Sequence, residues 1–417
     1  MSEDRVREQY EAYPYPPRDP RDEAKRLIEG SPSDRREIDH YVFAGRRDWR
    51  APFRALIAGG GTGDGLVMLA QQLADIGCPA EIHYLDLSHA SRNIAEARIR
   101  VRELKSVTFH HSAIESLPRL GLGRFDYIDC CGVLHHLADP AAGLRLLADA
   151  LSPEGGIGLM VYGELGRSGV YPMQELLRML GESEPAERRL ELAKRLLRQL
   201  PATNLFVRNP VLGDHLRAGD AGIHDLLLHW RDRAYRVPEL IALIEGAGLA
   251  PTALIEPWRY DPASYLADPK LLAPLGAAGR WRRAAAAELI AGNLKTHIAY
   301  AVPKARADRA VADPADPGAV PLLKGEPGVD LARGLRPGGR VTVKADGLEA
   351  RFATVTGAGP ILAAIDGRRS IAEIGKFLAE QDSKRWTSAH FAAEFAATYR
   401  LFNALNRLFL GRPAGAS

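Results

Sequence analysis

Between residues 54 and 162 short apolar runs alternate with stretches of helical spacing, and no other feature restricts the fold as much. ALIA (55–58), EIHYLD (81–86), VTFH (107–110), FDYIDCC (125–131) and IGLMVY (157–162) read as strands. GLVMLAQQLADIG, SHASRNIAEARIRVREL and DPAAGLRLLADALSP lie between them and repeat their apolar residues at helical period. Asp139 and Pro140 open the last of these with a capping carboxylate and a ring suited to a first helical turn. Strands joined through helices lie side by side in parallel. The alternation therefore predicts an α/β fold, a mostly parallel sheet with helices on both faces.

Beyond Tyr162 the pattern changes. Residues 163–236 read as mainly helical (MQELLRML, AERRLELAKRLLRQL, HDLLLHW), with breaks at Pro201 and Pro210. VPELIALIEGAGL then resumes the earlier scheme, LAPTALIEP (249–257) reads as a sixth strand and KTHIAYAVP (295–303) as a seventh. This predicts a seven-stranded domain over 51–305 with a helical insertion at 163–236 and a smaller one at 257–294. Residues 1–50 are a polar, Pro-, Tyr- and Arg-rich arm, and the small, Pro-containing stretch 306–319 reads as a linker. Over 320–417 a hairpin turning at Asp346-Gly347 and two helical segments predict a small C-terminal α+β module. Its ILAAIDGRRSIAEI resembles winged-helix-like peptide-binding modules, which leaves a recognition role, a structural role and homodimerisation open.

Composition narrows the setting. A hydrophobic share of 46% and a charged share of 26% over 417 residues are those of a globular protein with two or three domains. The net charge of +3 offers no footprint for nucleic acid. No apolar run reaches the roughly 18 residues that span a bilayer, so no membrane partner is expected. The charged start MSEDRVREQY is unlike a secretory signal, and the expected location is the cytoplasm. Cys78, Cys130 and Cys131 are too few for a disulfide framework and lack the spacing of a zinc site, so no metal is expected.

The loop from Gly59 to Gly65 follows the first strand and opens a helix, which is where an open α/β sheet binds nucleotides. A dinucleotide reader needs glycine at the first, third and sixth positions. From Gly59 the sixth position is Asp64, and from Gly61 it is Leu66. The glycines recur instead at 59, 61, 63 and 65, which disfavours a nicotinamide-dependent enzyme. ALIAGGGTGDG, Asp86, FDYIDCCGVLHHL and LSPEGGIGLMVYG together resemble, in order and spacing, the class I S-adenosylmethionine-dependent methyltransferases, whose fold is Rossmann-like.

The resemblance implies S-adenosyl-L-methionine as cofactor. It places Gly59, Gly60, Gly61 and Gly63 in the cofactor loop, and Asp86, 23 residues beyond Gly63, on the ribose hydroxyls. Leu87, Ser112, Ala113, Cys131 and Gly132 complete the expected binding set. Two positions depart from the family pattern. Ile57 stands where an acidic residue is usual, and Ser112 or Ala113 where an acid often binds the adenine amino group. An alternative is that the loop is only a tight turn and Asp86 a helix cap.

At the end of the fourth strand His135 and His136 are candidate general bases, because imidazole titrates near neutrality. The alternative is that they only shape the loop. Tyr162, ending the fifth strand, is a third catalytic candidate. In YEAYPYPPR (10–18), Tyr10, Tyr13, Tyr15 and Arg18 form a stiff segment similar to the lids that fold over the cofactor in this family. An aromatic ring there would meet the sulfonium by cation–π attraction. In HDLLLHWRDRAY (224–235) Asp225 and His229 stand four apart, one turn along a helix face, either as substrate contacts or as a solvated face beside buried Leu226, Leu227 and Trp230. The expected reaction is methyl transfer to an O, N or C atom of a small-molecule acceptor. The alternatives are a protein acceptor recognised through the C-terminal module and a regulatory protein that binds the cofactor without catalysis.

Overall fold

The apolar runs assemble into one seven-stranded sheet, seen in a computed structural model that describes residues 2–412. In chain order the strands are β1 (Phe53–Ala58), β2 (Ala80–Asp86), β3 (Val107–His111), β4 (Phe125–Cys131), β5 (Leu151–Tyr162), β6 (Leu249–Ile255) and β7 (Thr296–Pro303). Their spatial order is β3-β2-β1-β4-β5-β7-β6, with β7 antiparallel to both neighbours and the other pairs parallel. The order reverses direction between β1 and β4. A crevice therefore opens at their carboxyl ends, where loops leave in opposite directions.

Helices cover both faces. The N-terminal arm holds α1 (Ser2–Ala12) and α2 (Arg35–Val42); α3 (Asp64–Asp75), α4 (His89–Val101) and α5 (Pro140–Asp149) follow the first, second and fourth strands. The sheet's central residues are apolar in both directions, so two cores form. One holds Leu56, Ile128, Leu159 and Leu254, the other Ile57, Tyr84, Tyr127 and Tyr300. As expected from the sequence, Asp139 caps α5, accepting from Ala142 N at 2.8 Å. The insertion contains α6 (Val170–Gly181), α7 (Ala186–Leu197), the single-turn α8 (Leu205–Arg208) and α9 (Asp214–Arg217), and α10 (Gly219–Leu227). It has an apolar centre of its own. Then come α11 (Val237–Gly246), α12 (Pro269–Gly276) and α13 (Arg280–Ala291).

The C-terminal region contains β8 (Val320–Leu323), α14 (Gly328–Arg333), the hairpin β9 (Arg340–Ala345) and β10 (Leu348–Ala353), α15 (Ala358–Ala364), α16 (Ile371–Gln381), α17 (Ser388–Ala404) and β11 (Leu408–Gly411). β11 pairs antiparallel with β8, and Ile361, Ile374, Phe395 and Leu408 lie in a separate core. Residues 413–417 of the expected module lie outside the described residues.

Two sequence expectations need correction here. Much of the arm is not a polar periphery: Ile38, Tyr41 and Val42 of α2 are buried, as are Glu37, Asp39 and His40. The polar side chains are bonded rather than solvated. His40 Nδ1 accepts from Leu410 N at 2.9 Å while its Nε2 meets Tyr399 Oη at 2.9 Å, and Lys324 pairs with Glu37. Hence α2 lies between the sheet and the C-terminal region and belongs to the interior of both. The stretch 306–319 is likewise anchored. Arg306 donates to Val42 O at 2.9 Å, Ala312 N to His40 O at 2.9 Å, and Ala310 is fully buried. Among the described residues no helix is long and apolar enough to cross a membrane.

Candidate active site

A cavity of about 510 Å³ opens at the carboxyl ends of β1, β2, β4 and β5. That volume is in the range of small-molecule sites. Its floor is the loop after β1. Gly59 takes φ +70°, and a Cβ there would stand 2.4 Å from Val133 Cγ2 on the loop after β4. Only glycine satisfies both constraints, so the loop lies close against its neighbour and leaves its backbone to the cavity.

Asp86 ends β2 beside this loop. One carboxylate oxygen accepts from Gly61 N at 2.8 Å and the other from Ser88 N at 2.8 Å. A carboxylate has about four acceptor positions, and the Leu87 N–H also bonds to this one, so Asp86 keeps part of its acceptor capacity for a ligand. A carboxylate that lines a cavity and retains acceptor capacity suits the hydroxyls of a vicinal diol. Asp86 also couples the glycine loop to the start of α4, where Ser88 caps Ser91 N at 3.0 Å.

The arm is fastened over the opening at several points. Thr62 Oγ1 donates to Pro16 O at 2.8 Å, and Ser88 Oγ to Tyr10 O at 3.1 Å. Glu11 accepts from His89 N at 2.6 Å and Ala90 N at 2.9 Å, which places a carboxylate at the N-terminus of α4, favoured by the helix dipole. Arg18 meets Asp64 through two bonds of 2.9 and 2.6 Å. Fully buried Arg98 joins Asp64 to Glu23 of the arm, at 2.7 and 2.6 Å.

At the β4–β5 end the wall is aromatic and acidic. Tyr162 Oη donates to one oxygen of Asp225 at 2.9 Å, and Tyr10 Oη to the other at 3.4 Å. His229 Nδ1 accepts from Arg231 N at 3.1 Å, so its proton sits on Nε2, 3.3 Å from Tyr10 Oη. The donors thus run from His229 through Tyr10 to Asp225. Burial lowers the pKa of His229 and raises that of Asp225. His136 stacks on His229 with centroids 3.8 Å apart, and its Nδ1 bonds the Arg231 carbonyl at 2.8 Å. The carbonyl therefore keeps a proton on Nδ1, so in the neutral ring Nε2 is the acceptor. Arg167 lies over the Tyr162 ring at 3.7 Å and neutralises Asp232 at 2.7 Å.

The expected residues divide as follows. Gly59, Gly60, Gly61, Gly63, Asp86, Leu87, Ser112, Cys131, Gly132, His136, Tyr162, Tyr10 and Tyr15 all line the cavity. Ala113 does not; it precedes the turn Ile114–Leu120, and Glu115, two residues on, lines the cavity instead. His135 is not placed to act as a base. It is buried away from the cavity with both ring nitrogens unbonded, stacked 3.9 Å from Tyr162, and burial holds its pKa far below the usual value. Tyr13 is not over the cavity either, because it stacks on His224 of the insertion at 4.1 Å. Arg18 is a fastening of the arm. His229 stands behind Tyr10, and it is not on a helix with Asp225, since α10 stops at Leu227. Both side chains are buried rather than solvated, while Trp230 is half-buried beneath Arg189. Sequence reasoning missed Asp129, whose place inside a strand motif gave no sign that its side chain faces a cavity.

Residues 56–157 match the model of a methyltransferase domain family. They are a class I S-adenosylmethionine-dependent methyltransferase domain. An uncharacterized protein of Synechococcus sp. is 31% identical over 262 residues, which are 61% of this chain and 60% of that protein. The chain thus spans about 60% of the length of this curated relative. Among solved structures, PKMT2 from Rickettsia typhi in complex with AdoHcy superposes with TM-score 0.59 at 14% identity, over 86% of this chain and 71% of that one. The same protein described without that ligand gives 0.58 at 16% identity, with the same coverage. At these identities the likeness is one of fold, and it extends past the methyltransferase domain.

The residues present fit S-adenosylmethionine. A diol-matching carboxylate, a glycine floor that exposes backbone, and an apolar recess beside β3 at Leu87 and Ile114 would receive ribose, linker and adenine in turn. At positions 112 and 113, where an acid is usual, stand Ser112 and Ala113, and Ser112 and Glu115 are polar residues of the lining beyond β3.

Proposed function

We propose that the chain transfers a methyl group from S-adenosylmethionine to a protic oxygen or nitrogen of a small-molecule acceptor. The observation that carries this reading is the roofed chamber at the β4–β5 end. There His136, Tyr162 and Asp225 face a cavity continuous with the cofactor cradle. When bound, the cofactor supplies a sulfonium methyl, which departs in a one-step displacement by the acceptor's lone pair. The protein's part is alignment, exclusion of water and removal of the acceptor proton. His136 Nε2, with its lone pair fixed by the bond at Nδ1, takes that proton. Tyr162 and Tyr10, both held by Asp225, orient the acceptor, and the tyrosines give the sulfonium a polarisable wall.

The roof favours a small acceptor. Tyr10 of α1 and Asp225 of α10, bonded to each other at 3.4 Å, both line the cavity, so an acceptor must fit against both elements. With free thiols at Cys78, Cys130 and Cys131, a reducing compartment such as the cytoplasm is the proposed setting. The test is methylation of a cell extract with labelled S-adenosylmethionine, followed by separation by size. Label in the small-molecule fraction supports the reading, and label confined to protein overturns its acceptor. His136→Asn should lower kcat by about 10²- to 10⁴-fold while leaving S-adenosylhomocysteine affinity within about threefold. An unchanged kcat would remove the base from the mechanism.

A further inference from the structure

Asp129 of β4 has no role in the chemistry so far. It is 2% exposed, lines the cavity, and accepts from Ser33 Oγ of the arm and from the backbone N–H of Cys131. Among the described residues no lysine, arginine or histidine pairs with it, and burial pushes its pKa up to about 7. A buried carboxylate without a cation is costly, and such a group on a cavity wall calls for a positively charged ligand atom.

The sheet order says which atom arrives there. With the ribose on Asp86 of β2, the adenine end of the cavity lies toward β3, at Ser112 and Ile114. The other end of the cofactor must then cross β1 toward β4. Near β4 the cavity lining includes His136 and Tyr162 and also Ser31, Ser33, Gly65, Met68 and Asp129, of which Ser33, Gly65 and Asp129 are direct neighbours. Ser33 and Asp129 lie against the first turn of α3. A Cβ on Gly65 would stand 2.8 Å from Ser33 Oγ and 2.9 Å from Asp129 Oδ2, so the carboxylate sits directly beside that turn. A helix N-terminus favours an anion and a buried carboxylate favours a cation. Together they suit a zwitterionic amino-acid end.

Resting on the cofactor reading above, we propose that Asp129, positioned by Ser33, holds the α-ammonium group of the cofactor's methionine end. The bond also draws the Ser31–Ser33 loop of the arm onto the bound cofactor. The experiment is calorimetric binding to the full chain of three ligands: S-adenosylhomocysteine, its deaminated analogue, and 5′-methylthioadenosine, which lacks the amino-acid end. For the wild type, loss of the amino group should weaken binding about 10- to 100-fold, as expected for a charge-assisted hydrogen bond. Asp129→Asn should weaken S-adenosylhomocysteine by a similar factor and leave 5′-methylthioadenosine within about twofold. The variant should no longer distinguish the deaminated analogue. Ser33→Ala, a milder change, should weaken only the amino-containing ligand, by a few-fold.

If Asp129→Asn weakens all three ligands alike, the residue supports the cradle and the proposal fails. Unchanged S-adenosylhomocysteine affinity in Asp129→Asn, with 5′-methylthioadenosine still bound, also overturns it while leaving the cofactor reading intact. Wild-type protein that binds none of the three overturns both.

Discussion

Replacing Asp86 by alanine tests the cradle, and the structure determines how the result must be read. The side chain has two duties: it accepts from Gly61 N and Ser88 N, each at 2.8 Å, and it presents its remaining acceptor capacity to the cavity. Losing the first duty leaves two backbone donors without their partner. Each costs about 1 kcal/mol or more where water cannot reach it, so the unliganded protein should lose roughly 1–3 kcal/mol of stability. Losing the second removes two charge-assisted bonds to the diol, each worth about 1.5–3 kcal/mol. Water can replace part of this, so about 3 kcal/mol is expected, or roughly 10²-fold in Kd. The assay is calorimetry with S-adenosylhomocysteine beside denaturant unfolding without ligand. The 3′-deoxy analogue closes the cycle: it should bind the wild type more weakly than the parent ligand, while Asp86→Ala should bind the two equally. An Asp86→Ala protein that unfolds cooperatively and binds S-adenosylhomocysteine within threefold of wild type would refute the ribose assignment. Equal losses for the parent and deoxy ligands in wild type and variant would show that Asp86 acts only on the loop.

Two predictions concern the contact between the sheet and the C-terminal region. Lys324 lies beside buried Glu37, with Asp34 at 3.7 Å, so Lys324→Met leaves buried carboxylates without that cation and should cost about 3 kcal/mol by denaturant unfolding. Adding Glu37→Gln should recover part of the loss; an unaltered stability in Lys324→Met would mean the pair contributes nothing. His40 is held neutral by burial, with its pKa brought down to about 3 and Nδ1 occupied as acceptor of the Leu410 N–H. The unfolded chain takes up that proton near pH 6.5, so His40's contribution is fully present above that pH and is lost as pH falls toward 3. Asp39, raised to about 6 by burial, works in the opposite direction, so the comparison must be with His40→Gln rather than with neutral pH alone. The wild-type advantage over His40→Gln should shrink by about 1.4 kcal/mol per pH unit below 6.5, and a pH-independent difference would refute the neutral assignment.

The seven strands, their flanking helices and the cofactor loop were legible in the chain because each rests on a local signal. Apolar period distinguishes strand from helix, and alternating glycines at 59, 61, 63 and 65 exclude the dinucleotide spacing. Asp86 was found by its distance from that loop, and the hairpin at Asp346-Gly347 by its turn residues. The helix expected through His229 failed for a complementary reason. Spacing describes a helix only while the helix continues, and α10 ends at Leu227, yet tertiary contacts through Tyr10 still bring Asp225 and His229 together. His135 and His136 are neighbours with similar chemistry. Only the folded loop decides that one is sealed in the interior and the other faces the cavity.

By itself the sequence determined the type of sheet, the place of the crevice and the residues of the glycine loop, since these follow from period, spacing and backbone freedom. Tertiary structure alone decided that α2 is interior, because Glu37 and His40 find partners more than 280 residues away. It also decided that Asp129 confronts the cavity. A polar residue's cost or use depends on what surrounds it after folding, and no local pattern encodes that environment.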